Sequence, residues 1–377
     1  MITIWEQESL LKYDIFVVGS GIVGLQTAIQ ARIKFPERSV AILERGLLPT
    51  GASTRNAGFA ATGSLSELVS DSKKMTHSEI FELFALRKQG LDFLRRQFGD
   101  TAIGYENNGS FELLKSSESS VLNHLDTYNY LLKGLNNNQD IFVPVQDKLT
   151  EFGWADSMFQ YCLQNTTEAA LHTGKLMRNL MDLAIQNGVM IITGAEFLHY
   201  EDFGDGLTLF VNDNFRKEPI RFKTEQLIFC TNAFSKVFFP DEDVQPGRGQ
   251  VLLTSAIKGL KFKGIFHFDE GYYYFRNIGD KVLFGGGRNL DFEREQTTDF
   301  SLNEDILNQL KRLLKEQILP NQDFEIEMEW SGIMAFGNSK KPIVSRLSDK
   351  VIGGFRLGGM GVALGSMLAL ELVKQIE

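Results

Sequence analysis

Gly19-Ser20-Gly21-Ile22-Val23-Gly24 constrains this chain more than any other segment, because its three glycines follow a short apolar run and open a helical pattern. The run Tyr13-Asp14-Ile15-Phe16-Val17-Val18 reads as a strand buried on both faces of a parallel sheet, its apolar run continuous rather than alternating. Residues 22–34 place Ile22, Leu25, Ala28, Ile29 and Ile33 along one helical face, and Pro36 stops the helix. Val40-Ala41-Ile42-Leu43 is a second buried strand, ending at Glu44, 20 residues beyond Gly24. Strand, glycine turn, helix, strand and acid together specify a dinucleotide site. Gly19 permits the tight turn, Gly21 admits a pyrophosphate against the backbone, and Gly24 lets helix and strand close. The N–H groups around Ser20, Ile22 and Val23 offer unpaired donors and the positive end of the helix dipole to phosphate. Glu44 accepts from ribose hydroxyls and disfavours a 2′-phosphate. The motif alone does not choose between NAD and FAD.

Two further segments point to the cofactor. Gly51-Ala52-Ser53-Thr54-Arg55-Asn56-Ala57-Gly58-Phe59 gathers small residues and polar donors shortly after the ribose acid. Ser53 and the N–H groups after it suit closure over a pyrophosphate or a flavin ring. Near the C-terminus, Ile352-Gly353-Gly354-Phe355-Arg356-Leu357-Gly358-Gly359-Met360-Gly361-Val362-Ala363 runs from strand through a glycine cluster into a helix. Backbone N–H groups at residues 360–363 suit the negative charge of reduced flavin near N1 and O2.

Along the rest of the chain, helices are expected over 80–98, 117–135, 166–187, 301–317 and 362–376, with a hairpin around Asn107-Asn108-Gly109. Strands are expected at 189–193, on both sides of Gly204-Asp205-Gly206, and at 226–230, and residues 250–288 read as strand throughout. In that stretch 272–276 and 281–285 pair across Ile278-Gly279-Asp280. The ends of the chain are thus α/β and the middle mixes in antiparallel sheet, which is α+β overall. This implies a Rossmann-like domain made of 1–85, 150–235 and 330–377, with a mainly antiparallel substrate-binding domain, 86–149 and 236–329, inserted in pieces.

Composition excludes several classes. A net charge of −9 and a pI near 5.3 argue against a nucleic-acid footprint. Two cysteines, Cys162 and Cys230, make no disulfide framework, and five scattered histidines give no metal spacing, so no metal is expected. Residues 1–12 lack the apolar run of a secretory signal, and no stretch matches a membrane span, so the expected location is the cytoplasm.

Taken together, residues 14–24, Glu44-Arg45, Gly51 to Gly58, Gly247-Arg248-Gly249-Gln250, the aromatic strand at Tyr272 and the C-terminal glycine cluster resemble the D-amino-acid oxidase superfamily, in its glycine oxidase and sarcosine oxidase branch. The resemblance implies FAD, a largely antiparallel substrate sheet over the flavin, and hydride transfer from a C–N carbon to flavin N5. Oxygen then reoxidises the flavin, giving hydrogen peroxide. Carried over position by position, it implies that Gly19 to Gly24, Glu44, Arg45, Ser53, Arg55, Asn56, Ala57 and Gly58 line the cofactor. It also implies that the backbone at Glu196 and Phe197 meets adenine, Thr231-Asn232 passes the pyrophosphate, and Gly359, Met360, Gly361, Val362 and Ala363 meet the flavin pyrimidine edge.

Departures from the family qualify this. Where amino-acid-oxidising members carry an arginine that clamps a carboxylate, this chain has Met334, which forms no ion pair. The cysteine that tethers flavin in sarcosine oxidases has no counterpart, so noncovalent FAD is expected, and the oxygen-activating lysine aligns with Leu283. Arg276 and Arg288 are candidate replacements for the clamp. Tyr272 and Tyr274 share one strand face and Tyr273 and Phe275 the other, and one pair is expected to wall the substrate site. For the tyrosines core packing is the competing reading, for Arg276 a surface ion pair, and for His267 packing or surface exposure. The expected activity is oxidation of a small amine or amino acid. Alternatives are an FAD dehydrogenase of an amine or 2-hydroxy acid with a quinone or protein acceptor, and a non-catalytic FAD-binding protein.

Overall fold

The computed structural model describes residues 2–154, 157–213 and 215–376. The chain divides into two compact units, Met1–Thr54, Gly174–Pro246, Met334–Glu377 and Arg55–Thr173, Gly247–Ile333.

In the first unit, the apolar runs form a six-stranded sheet in the order Ile343–Ser348, Val351–Phe355, Gln226–Phe229, Ile15–Val18, Val40–Glu44, Met190–Thr193. Adjacent strands are parallel apart from the antiparallel edge strand Ile343–Ser348. All four residues of Ile15–Val18 are buried, which explains a run without alternation. Helix Ile22–Lys34 begins at Gly21 and is capped at Phe35, just before Pro36. It packs beside the C-terminal helix Gly361–Lys374. At one end a Cβ on Gly365 would lie 2.8 Å from Ile22 Cγ2, and at the other Lys34 Nζ donates to the Val373 carbonyl at 2.9 Å. The two helices therefore run side by side with their N-termini at the same end. A separate antiparallel sheet, Ile220–Thr224, Leu207–Asp213 and Ala195–Asp202, completes this unit.

The second unit is built on an eight-stranded sheet in the order Ile326–Phe336, Gln245–Thr254, Lys281–Gly286, Tyr273–Ile278, Ile265–Phe268, Ser110–Lys115, Phe159–Asn165, Phe142–Pro144. The hairpin turns at Gly279-Asp280, since Ile278 pairs with Lys281. One face of the sheet carries Phe111, Leu113, Phe266, Phe268, Tyr273, Phe275 and Phe284 into a core with Trp154 and helix Glu304–Leu313. Phe266 stacks on Phe275 at 4.8 Å and Tyr273 on Phe268 at 4.9 Å, while the Trp154 indole donates to the Ile318 carbonyl at 3.0 Å.

Several expectations are corrected. Asn107-Asn108-Gly109 does not close a hairpin: Glu106 bridges to Ala170, and Ser110–Lys115 pairs with Phe159–Asn165 and, in parallel, with Ile265–Phe268. The helix expected from 166 begins at Thr173. Asn165 Oδ1 accepts from the Thr167 N–H at 2.9 Å, a local turn that competes with helix, and Ala169–Ala170 pairs with Phe59–Ala60. Residues 255–264 interrupt the stretch expected to be all strand. Residues 55–85 and 150–173 lie in the second unit rather than with the Rossmann-like sheet. There Phe159–Asn165 pairs with Ser110–Lys115, and the buried Glu168 carboxylate accepts from the N–H groups of Thr62 and Gly63 at 2.6 and 2.7 Å and from Ser110 Oγ at 2.6 Å. Arg87 adds a bond to the Thr62 carbonyl at 2.9 Å.

Gly24 is the tightest contact tied to the motif: a Cβ there would lie 1.9 Å from the Gly19 carbonyl oxygen. Gly24→Ala is expected to destabilise the protein by about 3 kcal/mol, since helix and strand must separate. Gly134→Ala, where a Cβ would meet nothing within 4 Å, is expected to stay within roughly 0.5 kcal/mol of the parent in the same denaturant unfolding measurement.

Candidate functional site

In the first unit the glycine motif turns where the sequence requires. Gly19 has φ +101, and a Cβ there would lie 2.9 Å from the Cys230 carbonyl at the end of the neighbouring strand. A Cβ on Gly21 would meet Ser53 Oγ at 2.9 Å. The Ser53 hydroxyl accepts from the Ile22 N–H at 3.0 Å, so it caps the helix on the side where a phosphate would approach. Ser20 is fully buried, and its N–H and hydroxyl donate to Glu44 Oε2 at 3.1 and 2.7 Å. Glu44 Oε1 accepts from the Gly46 N–H at 2.9 Å. The acid is thus fixed at the carboxyl end of its strand, beside the glycine turn.

Arg45 lies with its guanidinium 4.0 Å from the centre of the Phe234 ring. Thr231 follows strand Gln226–Phe229, its hydroxyl 2.9 Å from that of Ser235. The buried Phe197 ring makes edge contacts with Phe229 and Phe238 at 5.2 and 5.4 Å. Gly358 and Gly359 adopt φ +54 and +83, and Gly361 opens the C-terminal helix with Val362 and Ala363 in its first turn. Met334 lies under this turn, its Sδ 3.5 Å from where a Cβ on Gly359 would be. The positive ends of two helices therefore converge at one end of the sheet, near the carboxyl end of Ile15–Val18 and beyond that of Val351–Phe355. That is where open α/β sheets hold nucleotides.

The second unit holds the remaining candidates. Arg55 donates to the Ser331 carbonyl at 2.9 Å and lies over Phe300, while the Trp330 indole donates to the Arg55 carbonyl at 2.9 Å. Asn56 Oδ1 accepts from the Gly58 N–H and the Thr173 hydroxyl, both at 2.8 Å. The sheet face opposite the aromatic core carries Tyr274 and Arg276, with Tyr274 packed among Ala57, Val251, Leu283 and Phe59. Gly285 makes room for that ring, since a Cβ there would be 2.7 Å from Tyr274 Cε2. Burial pushes the Tyr274 phenol up to about 12. Tyr272 precedes the strand, is 36% exposed and meets Phe292 edge-on at 5.9 Å.

Arg276 is not at the surface. Its Nη1 donates to the carbonyls of Gly58 and Leu171 at 2.9 and 2.8 Å and its Nε to the Asn277 carbonyl at 3.1 Å, with Glu106 3.8 Å from Nη2. Burial lowers its pKa, opposed by Glu106. Arg288 packs over Phe292 at 4.8 Å, and burial lowers its pKa as well. His267 is buried beside the Glu168 carboxylate, 4.0 Å away. Sequence reading missed Arg356, a buried arginine at φ +67 inside the glycine cluster. The available signal was a cation in a segment otherwise made of glycine and apolar residues. Among the described residues no group of three or more acidic, histidine or cysteine side chains could hold a metal ion, and no helix is long and apolar enough to cross a membrane.

No curated protein sequence matches this chain. Among solved structures, glycine oxidase from Geobacillus kaustophilus is similar at a TM-score of 0.75 and 16% identity, over 97% of this chain and 96% of that one. L-proline dehydrogenase from P. horikoshii is similar at 0.74 and 15%, over 97% and 94%. L-α-glycerophosphate oxidase from Mycoplasma pneumoniae, solved with FAD bound, is similar at 0.75 and 14%, over 97% and 94%. These likenesses show the fold. A family model described as FAD dependent oxidoreductase matches residues 14–375, and the chain therefore belongs to that DAO family of FAD-dependent oxidoreductases.

Proposed function

We propose that this enzyme oxidises a small amine or amino acid with noncovalently held FAD, using molecular oxygen as electron acceptor. The observation that carries the reading is the convergence of two helix N-termini and the Glu44 carboxylate at one end of the parallel sheet. The residues present fit FAD: Gly21 has no side chain to displace Ser53 Oγ, which closes on the Ile22 N–H at the helix N-terminus, and Glu44 is an acceptor for ribose hydroxyls. When bound, FAD supplies a two-electron acceptor for a hydride from a C–N carbon, and passing both electrons and two protons to oxygen gives hydrogen peroxide. Cys162 and Cys230 are both buried and neither lies in the C-terminal region where the resemblance would place a tether, which supports noncovalent binding.

The protein's own task is to orient and desolvate the substrate. We read Gly19 to Gly24, Glu44, Arg45, Ser53 and the backbone at Phe197, Thr231 and 359–363 as holding the dinucleotide. Arg55 to Gly58 are its further contacts. Tyr274, neutral across ordinary pH, is a hydroxyl and apolar wall for the amine, and Tyr272 a second hydroxyl. Arg276 gives its guanidinium to the Gly58 and Leu171 carbonyls, so it acts by holding the backbone at Gly58 rather than by clamping a carboxylate. Arg288 remains the candidate for that clamp. By the resemblance, Met334 stands where amino-acid-oxidising members carry an arginine and forms no ion pair, so an amino-acid substrate depends on Arg288 and an amine does not. The likeness to L-proline dehydrogenase favours, as a second reading, a dehydrogenase that hands electrons to a quinone or protein.

Purified protein is expected to show flavin absorbance that bleaches anaerobically with an amine, and on admitting air to form one peroxide per substrate oxidised. Bleaching without peroxide, but with reduction of an artificial acceptor, would select the dehydrogenase reading, and a colourless protein that takes up no FAD would remove both. Glu44→Ala is expected to weaken FAD binding on the order of ten- to a hundredfold by fluorescence titration, the scale of a lost charge-assisted hydrogen bond. Because burial raises the Tyr274 pKa and keeps the phenol neutral, any alkaline limb of the rate profile below about pH 10 should persist in Tyr274→Phe.

A further inference from the structure

Two neighbouring strands of the parallel sheet end in residues with left-handed backbone. Asn232 has φ +46 just beyond Gln226–Phe229, and Arg356 has φ +67 at the end of Val351–Phe355. They are joined, the Arg356 N–H donating to Asn232 Oδ1 at 3.2 Å. Asparagine tolerates this conformation, but arginine adopts it only where its surroundings over-determine it.

Those surroundings are specific. Arg356 is 8% exposed, and its Nε and Nη2 donate to the Lys341 carbonyl at 3.1 and 2.8 Å. Its Nη1 donates to the Asp243 carbonyl at 3.1 Å and to Asp243 Oδ2 at 3.0 Å, and Oδ2 also accepts from the Asn338 N–H at 2.7 Å. Gly337 leaves the space: a Cβ there would lie 2.5 Å from the Asp243 carbonyl oxygen and 2.8 Å from Arg356 Cδ. A turn that needed only positive φ would be served by glycine at no steric cost. This chain instead buries a cation bonded on both sides of its guanidinium. The segment it anchors is short. Gly358 N–H donates to the Ala335 carbonyl at 2.9 Å, Met360 N–H to the Leu357 carbonyl at 2.8 Å, and helix Gly361–Lys374 starts immediately after.

We propose that Arg356 is a positioning residue for FAD: through Asp243, Lys341 and Asn232 it fixes the turn at 357–360, and with it the N–H groups that open the C-terminal helix. The inference rests on the reading that these groups face the flavin pyrimidine edge. A rigid positive pole there favours anionic reduced flavin over neutral oxidised flavin, because the donors need not reorganise as charge arrives. A turn that wanders loses this preference even if the fold persists.

The test is anaerobic titration of the apoprotein with oxidised and with dithionite-reduced FAD, for the parent, Arg356→Ala, Arg356→Lys and Asp243→Asn, with thermal midpoints measured alongside. The ratio of the two dissociation constants, oxidised over reduced, is expected to fall roughly two- to thirtyfold in Arg356→Ala, the span of a helix-terminus charge interaction. It should fall in the same direction in Arg356→Lys, which keeps the charge but lacks the fork, and in Asp243→Asn. Should Arg356→Ala fail to fold, the other two variants carry the test. An unchanged ratio in both, even with a lowered thermal midpoint, overturns the proposal and leaves Arg356 a purely structural residue. A parent protein that takes up neither form of FAD overturns the cofactor reading and this inference with it.

Discussion

The Gly19 carbonyl oxygen occupies the space that any side chain at residue 24 would fill, 1.9 Å from an ideal Cβ. That approach draws the helix Ile22–Lys34 directly off the end of the strand Ile15–Val18, so its first turn, with the Ile22 N–H held by Ser53, stands at the strand's carboxyl end. The Gly365–Ile22 contact then fixes the C-terminal helix beside the first with its N-terminus at the same end. Two positive poles are thereby directed to one place without any cationic side chain supplying them. A dinucleotide carries negative charge at its pyrophosphate and, once reduced, at its flavin, and the proposed function sets one pole against each.

Polar groups buried elsewhere act as ties rather than reagents. Glu44 gathers Ser20 and Gly46 around the glycine turn. Glu168 gathers Thr62, Gly63 and Ser110, and Arg276 gathers the carbonyls of Gly58 and Leu171. Each is a charged side chain whose hydrogen-bonding capacity is directed at the backbone of irregular segments, which have no ladder of their own to satisfy buried N–H and C=O groups. Removing one such group leaves several backbone partners unsatisfied at once, so their effects on stability should exceed those of the exposed ion pairs.

The sequence made the Rossmann-like unit legible because local rules and tertiary demands coincide there. The glycines of the motif, the uninterrupted apolar strands and Glu44 each have one physical use, so the helix 22–34 has its expected bounds, while the strand expected from Tyr13 begins at Ile15 and the one expected over 40–43 runs on to Glu44. The hairpin expected to pair 272–276 with 281–285 was also readable from alternation and Gly279-Asp280, and its strands run 273–278 and 281–286. What escaped was set by distant partners. Asn165 turns the chain where apolar periodicity suggested helix, and Glu106 pairs with Ala170 rather than folding back across Gly109. No sequence rule assigns the Arg276 guanidinium to carbonyls more than 100 residues away, at Leu171 and Gly58. Alternation separated Tyr274 from Tyr273, but only the packing of Trp154 and the phenylalanines decides which face is core. Arg356 stood out only as a cation among glycine and apolar residues, and its positive φ and its partners Asp243 and Lys341 are set by distant segments.

The most direct test of the account is a crystal structure of the protein loaded with FAD, measuring which backbone N–H groups meet the cofactor. The account predicts pyrophosphate oxygens within hydrogen-bonding reach, about 2.7–3.2 Å, of N–H groups at residues 21–23, ribose hydroxyls on Glu44, and the flavin pyrimidine edge facing the N–H groups of 361–363. A dinucleotide bound away from both helix N-termini, or a pyrophosphate held by side chains instead of the glycine turn, would contradict it.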